Sequence, residues 1–184
     1  GWGISVSRTG EIHLSAIKCA DLAGQPKIGT FLDTDVPHLI KTDFRVIGDK
    51  TGWGATGVSS GGYCAAAVAM RKPDLFSFAA PIDGYFHIDS NLAAGKTAAA
   101  KATSPFALAT SAAPPITMHA WYGTGHNNGQ LSKQRSIEFS KVVRPPTVYT
   151  AMEIPSGAHS WTTYRQIMPD VFSWFSGVLA KPTL

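Results

Sequence analysis

The arrangement of apolar and polar positions divides the chain into segments typical of helices and strands. Four segments are predicted to be helices: residues 34–47, 61–71, 131–143 and 164–179. Four short and largely apolar runs are predicted to be buried strands: residues 53–58, 76–82, 116–122 and 147–154. A weaker alternation over residues 11–17 indicates one more short strand. Strands that alternate with helices over short connections predict an α/β domain with a largely parallel sheet.

The first and last of these helices each contain a proline. In the first helix, Pro37 is expected to fit only within the first turn, with Asp33 or Asp35 as the cap, and Gly48 is expected to end the helix. In the last helix, Pro169 is expected to bend or interrupt the chain, because proline cannot donate the backbone hydrogen bond of a helix interior.

The composition is that of one globular domain. The chain has 184 residues, of which 44% are hydrophobic, so it can build a core and is not disordered. An Ala/Ser/Thr-rich stretch, residues 91–113, is a candidate cap insertion within this single domain. The net charge of +4 is not clustered, which makes a nucleic-acid partner improbable on charge grounds. The longest uninterrupted apolar run, residues 64–70, falls far short of the ~18 residues that a transmembrane helix needs.

The strongest chemical signal is a serine flanked by glycines. Residues 57–61, Gly-Val-Ser-Ser-Gly, match G-x-S-x-G between an apolar strand and an alanine-rich helix. This context is what a nucleophile elbow requires, because a strained turn lifts the serine hydroxyl above the sheet. The helix N-terminus also favours developing negative charge. We therefore expect Ser59 to be a nucleophile and the backbone N–H of Ser60 to be an oxyanion donor; a plain Gly/Ser turn is the alternative.

A serine hydroxyl needs a base to take its proton, and His159 is the candidate. In hydrolases that use such an elbow, the histidine comes last in chain order, after the final strand. Of the six histidines, only His159 follows the strand at 147–154 and precedes the terminal helix. Trp161, two residues further on, is a candidate for lining a substrate pocket, and a place in the core is the alternative.

Three stretches resemble one family of α/β-hydrolases. Residues 57–85, GVSSGGYCAAAVAMRKPDLFSFAAPIDGY, resemble the elbow region of the esterase D-like family, which includes S-formylglutathione hydrolases, feruloyl-esterase-like proteins and mycolyltransferase-like esterases. Residues 157–175, GAHSWTTYRQIMPDVFSWF, resemble its histidine segment, and residues 30–44 are similar to its helix before the elbow. The resemblance implies a three-layer α/β-hydrolase sandwich that hydrolyses or transfers acyl groups of small carboxylic esters, with no metal or organic cofactor.

The acid of the family's catalytic triad is missing from its usual position. In the family it lies in a G-x-x-D turn before the histidine, whereas residues 123–128 here read Gly-Thr-Gly-His-Asn-Asn. Among the acids between Ser59 and His159, Asp83 ends a strand at the carboxyl edge, where α/β sites gather. We expect Asp83 to orient His159. Weaker orientation by Asn127 or Asn128, and a plain Asp-Gly turn at residue 83, are the alternatives.

Two further expectations concern the N-terminal part of the chain. Relative to this family the chain is expected to be shortened there, since the family carries several strands before the helix at 34–47 and takes its second oxyanion N–H from one of their loops. Cys19 and Cys64 form either one disulfide or two buried thiols. A bridge, together with the resemblance to exported esterases, favours an extracytoplasmic location.

The sequence thus predicts a serine esterase or acyltransferase with a Ser59–His159–Asp83 triad and a covalent acyl-enzyme. The rival is a non-catalytic α/β-hydrolase-like binding domain that has lost its triad acid and part of its oxyanion hole. A peptidase of the same fold is a third hypothesis.

Overall fold

The computed structural model describes residues 2–6, 12–16, 19–21, 26–87, 101–125 and 129–181. The strands are β1 (Trp2–Val6), β2 (Ile12–Ala16), β3 (Gly54–Val58), β4 (Phe78–Ile82), β5 (Thr117–Gly123) and β6 (Val148–Ile154). The helices are α1, made of Ile28–Thr30, Phe31–Asp35 and Val36–Asp43 in succession, α2 (Ser60–Arg71), α3 (Pro105–Ser111), α4 (Gly129–Ser140) and α5 (Trp161–Val178). A short 3₁₀ helix, Lys50–Gly52, precedes β3.

The central sheet has four parallel strands in the order β3-β4-β5-β6. Val58 pairs with Ile82, so β3 and β4 end in register, and Ile82 pairs with Trp121, so β5 extends two residues further. Because the strands are parallel, the loops that follow them leave from one edge of the sheet. The four predicted strands are confirmed to within two residues at either end.

Two apolar clusters lie on opposite faces of the sheet and make the fold three layers deep. One contains Ala66 and Met70 of α2 and Phe139 of α4 against Met118 and Ala120 of β5. The other places Ile167, Val171 and Phe175 of α5 against Ile82 and Trp121. Successive strand residues therefore face different layers, as the side-chain alternation of a strand requires. This confirms the predicted layered fold.

The prediction for the first helix is wrong at both ends. The helix begins at Ile28 and ends at Asp43, and Phe44 is extended (φ −128°, ψ 148°). Its middle is a π-turn in which the Val36 N–H bonds the carbonyl of Phe31, and this wide turn accommodates Pro37 directly after it. Neither predicted cap is used: no side chain caps this helix, and Asp33 instead pairs with Arg71 of α2 at 2.8 Å.

The remaining elements settle three smaller expectations. The predicted strand at 11–17 is present as β2, paired with β1, which the sequence did not reveal. Pro169 lies inside α5 without interrupting it. Cys19 and Cys64 are joined in a disulfide, with Cα atoms 5.4 Å apart, which ties the segment before α1 to α2.

The candidate cap is described only in part. Residues 91–100 lie outside the described residues, and the described remainder carries α3, whose Ala109 packs into the core beside α2. A cap function stays a prediction. Within the described ranges, no helix combines the length and apolar character needed to span a membrane.

Candidate active site

Ser59 occupies a strained turn between β3 and α2. Its backbone adopts φ 53° and ψ −118°, a region that residues with a side chain rarely enter. Its N–H donates to the carbonyl of Ile82 at 2.9 Å, which ties the turn to β4. The turn is tight because a Cβ on Gly57 would lie 2.5 Å from the carbonyl carbon and oxygen of Gly61. Glycine at position 57 is thus a steric requirement of this elbow.

Replacing Gly57 with alanine is expected to lower the free energy of unfolding by about 1–3 kcal/mol, because the new methyl meets backbone rather than a movable side chain. Thermal unfolding followed by circular dichroism measures this loss. Gly61→Ala is the matched control, since a Cβ there meets nothing within 4 Å and alanine is the better helix former. Equal stability of the two variants would contradict the steric requirement.

His159 lies in the loop between β6 and α5 and reaches the elbow. Its Nε2 lies 3.0 Å from Ser59 Oγ, although the two residues are 100 positions apart in sequence. The loop is fixed at both ends: the Gly157 N–H bonds the carbonyl of Ile154, and the Ser160 side chain caps α5 by accepting from the Thr163 N–H at 3.3 Å. The first pair of predicted site residues is therefore brought together.

The loops after β5 and β6 pack backbone against backbone beside this histidine. The Gly125 N–H donates to the carbonyl of Gly157 at 2.9 Å, and a side chain on Gly123 would overlap that carbonyl oxygen. Gly123, the last residue of β5, and Gly125 after it thus allow the histidine loop to approach the sheet. Asn127 and Asn128, the alternative orienters, lie outside the described residues.

Asp83 lies at the end of β4, buried, with a left-handed backbone (φ 45°). Its Oδ1 accepts the Gly123 N–H at 2.6 Å, and its own N–H donates to the carbonyl of Trp121 at 2.7 Å. Its Oδ2 faces Nδ1 of His159 at 3.5 Å, which is longer than an ordinary hydrogen bond. The third predicted residue is therefore beside the imidazole, on the side away from Ser59.

Ser60 and Trp161, the other two predicted site residues, each begin a helix that follows a loop of the site. Ser60 is the first residue of α2, where a backbone N–H has no acceptor within its own helix, and its hydroxyl accepts a hydrogen bond from Tyr85 at 3.1 Å. Trp161 is the first residue of α5 and is 66% exposed. Its ring meets the Tyr164 ring edge to face at 5.8 Å. Trp161 is thus a surface residue beside the site rather than a core residue.

Three contacts of the site were missed by sequence reasoning. The backbone N–H of Gly123 has no signature in a sequence. Tyr85 follows the Asp-Gly pair of the elbow-like stretch, and Tyr164 lies in the helix after the histidine, but an aromatic residue at either place is equally typical of a core. No group of three or more His, Cys, Asp or Glu that could hold a metal ion occurs in the part of the chain that the structure describes.

An apolar groove of about 550 Å³ runs beside the site rather than through it. It lies between α1, α2 and β3, with Leu32, Trp53 and Val68 in its wall. It touches the elbow through Thr56 and Gly61, and its lining does not include Ser59, Asp83 or His159. The groove therefore follows the edge strand of the sheet, not the reactive atoms.

Comparison with solved structures identifies the fold as that of the α/β-hydrolases. An S-formylglutathione hydrolase from Agrobacterium tumefaciens superposes with a TM-score of 0.77 at 16% identity, over 97% of this chain and 69% of that protein. A ferulic acid esterase superposes with a TM-score of 0.65 at 20% identity, over 83% of this chain and 62% of that protein. At these identities the likeness shows a shared fold.

The sequence places the chain in a family within that fold. Residues 18–175 match the family described as Putative esterase, and the chain belongs to it, which confirms the resemblance inferred from the motifs. A protein of Corynebacterium glutamicum, described as uncharacterized, is 26% identical over 185 residues, covering 93% of this chain. The chain spans 42% of the length of that relative.

Proposed function

We propose that the protein is a serine esterase or acyltransferase that acts on small carboxylic esters through a covalent acyl-enzyme. Membership of the esterase family supports the general class of ester hydrolases. The observation that carries the proposal is the 3.0 Å separation between Ser59 Oγ and His159 Nε2. A strained serine with an imidazole at this distance is the arrangement that nucleophilic catalysis requires.

In the first half-reaction, Ser59 Oγ attacks the ester carbonyl while His159 Nε2 takes the hydroxyl proton. The resulting tetrahedral intermediate collapses when the imidazolium returns this proton to the leaving alcohol. The ester C–O bond breaks and the acyl group stays on Ser59. The Asp83 carboxylate, 3.5 Å from Nδ1, stabilises the positive charge that the imidazole carries between these two events.

In the second half-reaction, water or an acceptor alcohol loses its proton to His159 as it attacks the acyl-enzyme. The same proton then returns to Ser59 Oγ as the acid or the new ester leaves. Hydrolysis and acyl transfer differ only in the attacking oxygen, so the triad serves both. The Ser60 N–H, at the N-terminus of α2, is positioned by its place in the chain to bind the oxyanion in each half-reaction.

The residues around Ser59 and His159 favour an apolar acyl or aryl group on the ester. Trp161 exposes most of its ring two residues from the imidazole, and Gly61 and Gly62 leave the start of α2 without bulky side chains. An exposed aromatic ring beside a reactive centre offers a flat apolar surface to a substrate.

The test is turnover of p-nitrophenyl acetate by the purified chain, together with covalent labelling by a fluorophosphonate probe. We expect turnover and one probe per chain, with the modified peptide carrying Ser59. Absence of both would refute the proposal. Absence of both would instead support the rival, a non-catalytic binding domain. The observation that favours this rival is the 3.5 Å distance between Asp83 Oδ2 and His159 Nδ1. Faster cleavage of peptide anilides than of esters would favour a peptidase.

A further inference from the structure

The carboxylate of Asp83 faces the imidazole of His159 at 3.5 Å, and the facing atoms of both groups lack hydrogen bonds. In the described part of the chain, four buried side-chain polar atoms make no hydrogen bond: Asp83 Oδ2, His159 Nδ1, Tyr164 Oη and Trp121 Nε1. Asp83 Oδ2 is an acceptor when ionised, and Tyr164 Oη is able to donate. Buried polar groups without partners are costly, so an unsatisfied carboxylate oxygen that faces the imidazole calls for a functional explanation.

Tyr164 is held close to the triad by the first turn of α5. Its N–H donates to the carbonyl of Ser160 at 3.1 Å, in the same turn that Ser160 caps. Its ring meets the His159 ring edge to face, with centroids 5.6 Å apart and an interplanar angle of 88°. Only 4% of the residue is exposed. The phenol is therefore fixed within the protein, next to the imidazole.

The phenol also lies close enough to Asp83 to be affected by its charge. Burial, and then the negative charge of Asp83, raise the pKa of Tyr164 above its ordinary value. The hydroxyl consequently keeps its proton throughout the pH range in which a histidine titrates. A protonated phenol close to an unsatisfied carboxylate oxygen is able to donate a hydrogen bond to it.

We propose that Tyr164 is a positioning residue, which donates its hydroxyl hydrogen to Asp83 Oδ2 and so sets how strongly this carboxylate attracts the proton on His159. The inference rests on the proposed function and deepens it, because it adds a fourth member to the Ser59–His159–Asp83 group. The Gly123 N–H binds one carboxylate oxygen of Asp83, and in this proposal the Tyr164 hydroxyl, whose ring contacts the His159 ring, binds the other.

Among the described residues, the groups that meet at Asp83 and His159 can be named element by element. Asp83 directly follows β4, and Tyr85, in the same segment, bonds Ser60. The end of β5 contributes the Gly123 N–H. The loop after β6 carries His159, and α5 carries Tyr164. Glu153 on β6 is exposed and paired with Lys133 at 3.2 Å.

Tyr164→Phe is expected to shift the titration of the His159 imidazole to higher pH by about 0.5–1 pH unit. Without the phenol, the carboxylate charge is shared with fewer donors and holds the imidazolium more strongly. In the same variant kcat is expected to fall about 3- to 30-fold, with KM changed less than twofold, since the lost contact acts on the carboxylate rather than on substrate.

The experiment follows the His159 imidazole by NMR through a pH titration, which needs no turnover. The matched control is Tyr149→Phe, because Tyr149 is a partly buried phenol that shares its hydrogen bond with Ser136 at 2.6 Å, on the other face of the sheet. The control is expected to leave the His159 midpoint where it is in the unchanged protein. An unmoved midpoint in Tyr164→Phe, or an equal shift in the control, would overturn the proposal.

A second variant gives a signal of the opposite sign and covers the case in which Tyr164→Phe does not fold. Tyr164→3-fluorotyrosine keeps the hydroxyl and makes it a stronger donor, while burial and the Asp83 charge, which raise the pKa of the phenol at this position, favour the protonated form, so the midpoint is expected to move to lower pH. Movement upwards, or none, would overturn the inference. If these shifts occur while the unchanged protein neither turns over esters nor labels, the proposed function fails and the coupling of Tyr164 to the imidazole stands.

Discussion

Ser59→Ala is expected to abolish covalent labelling by a fluorophosphonate and to lower ester turnover by roughly 10⁴- to 10⁶-fold. The variant removes the only atom that attacks the substrate in the proposed reaction, and it leaves any oxyanion donor and the imidazole in place. Steady-state kinetics with p-nitrophenyl acetate and intact-mass measurement after probe treatment give the two readouts.

Ser111→Ala is the control for removing a serine hydroxyl. The Ser111 side chain bonds the carbonyl of Ala107 within α3, away from the elbow, so labelling and turnover should match those of the unchanged protein. A probe that still attaches to Ser59→Ala in equal amount would assign the nucleophile to another residue.

The second large effect is expected from Asp83→Asn, which should lower kcat/KM by about 10²- to 10⁴-fold. Asparagine has the same shape and can still accept the Gly123 N–H, but it carries no charge to stabilise the imidazolium or fix its tautomer. The free energy of unfolding should be unchanged or higher, because the replacement removes a buried charge. Kinetics of the variant should therefore show a loss that thermal unfolding of the same sample does not.

Glu153→Gln provides the comparison for Asp83→Asn, since Glu153 is an exposed acid at the same edge of the sheet. Its turnover should stay within about twofold of the original value, as expected for a surface ion pair. Full activity in Asp83→Asn would transfer the orienting role to Asn127 or Asn128, the alternatives that the sequence leaves open.

The parallel sheet could be predicted from sequence because its strands are buried on both faces. Such strands appear as short continuous apolar runs, and β3 to β6 lie within two residues of the runs that predicted them. The first helix could not be bounded in this way. Its apolar spacing continues through Phe44 and Ile47, but the π-turn before Pro37 changes which residues face the core, and Phe44 is 65% exposed.

The candidate site was predictable to the extent that it depends on chain order. Ser59 and His159 follow from a motif and from position after the last strand, and Asp83 from its place at the carboxyl edge. The contacts that complete the arrangement are of another kind. A backbone donor such as Gly123 looks like any other glycine in a sequence, and Tyr164 is indistinguishable from a core aromatic until the orientation of α5 is known.

The hydrogen bond between Asp83 and Gly123 has a consequence for where the orienting charge can originate. It joins the residue that follows β4 to the last residue of the adjacent strand β5, so the two strand ends meet at the position of this carboxylate. The proposed orienting charge of Asp83 is therefore held at the edge of the sheet, where β4 and β5 end, rather than within a loop. In the proposed triad, the acid therefore comes from β4, the strand beside β5, after which the family's usual acid would lie.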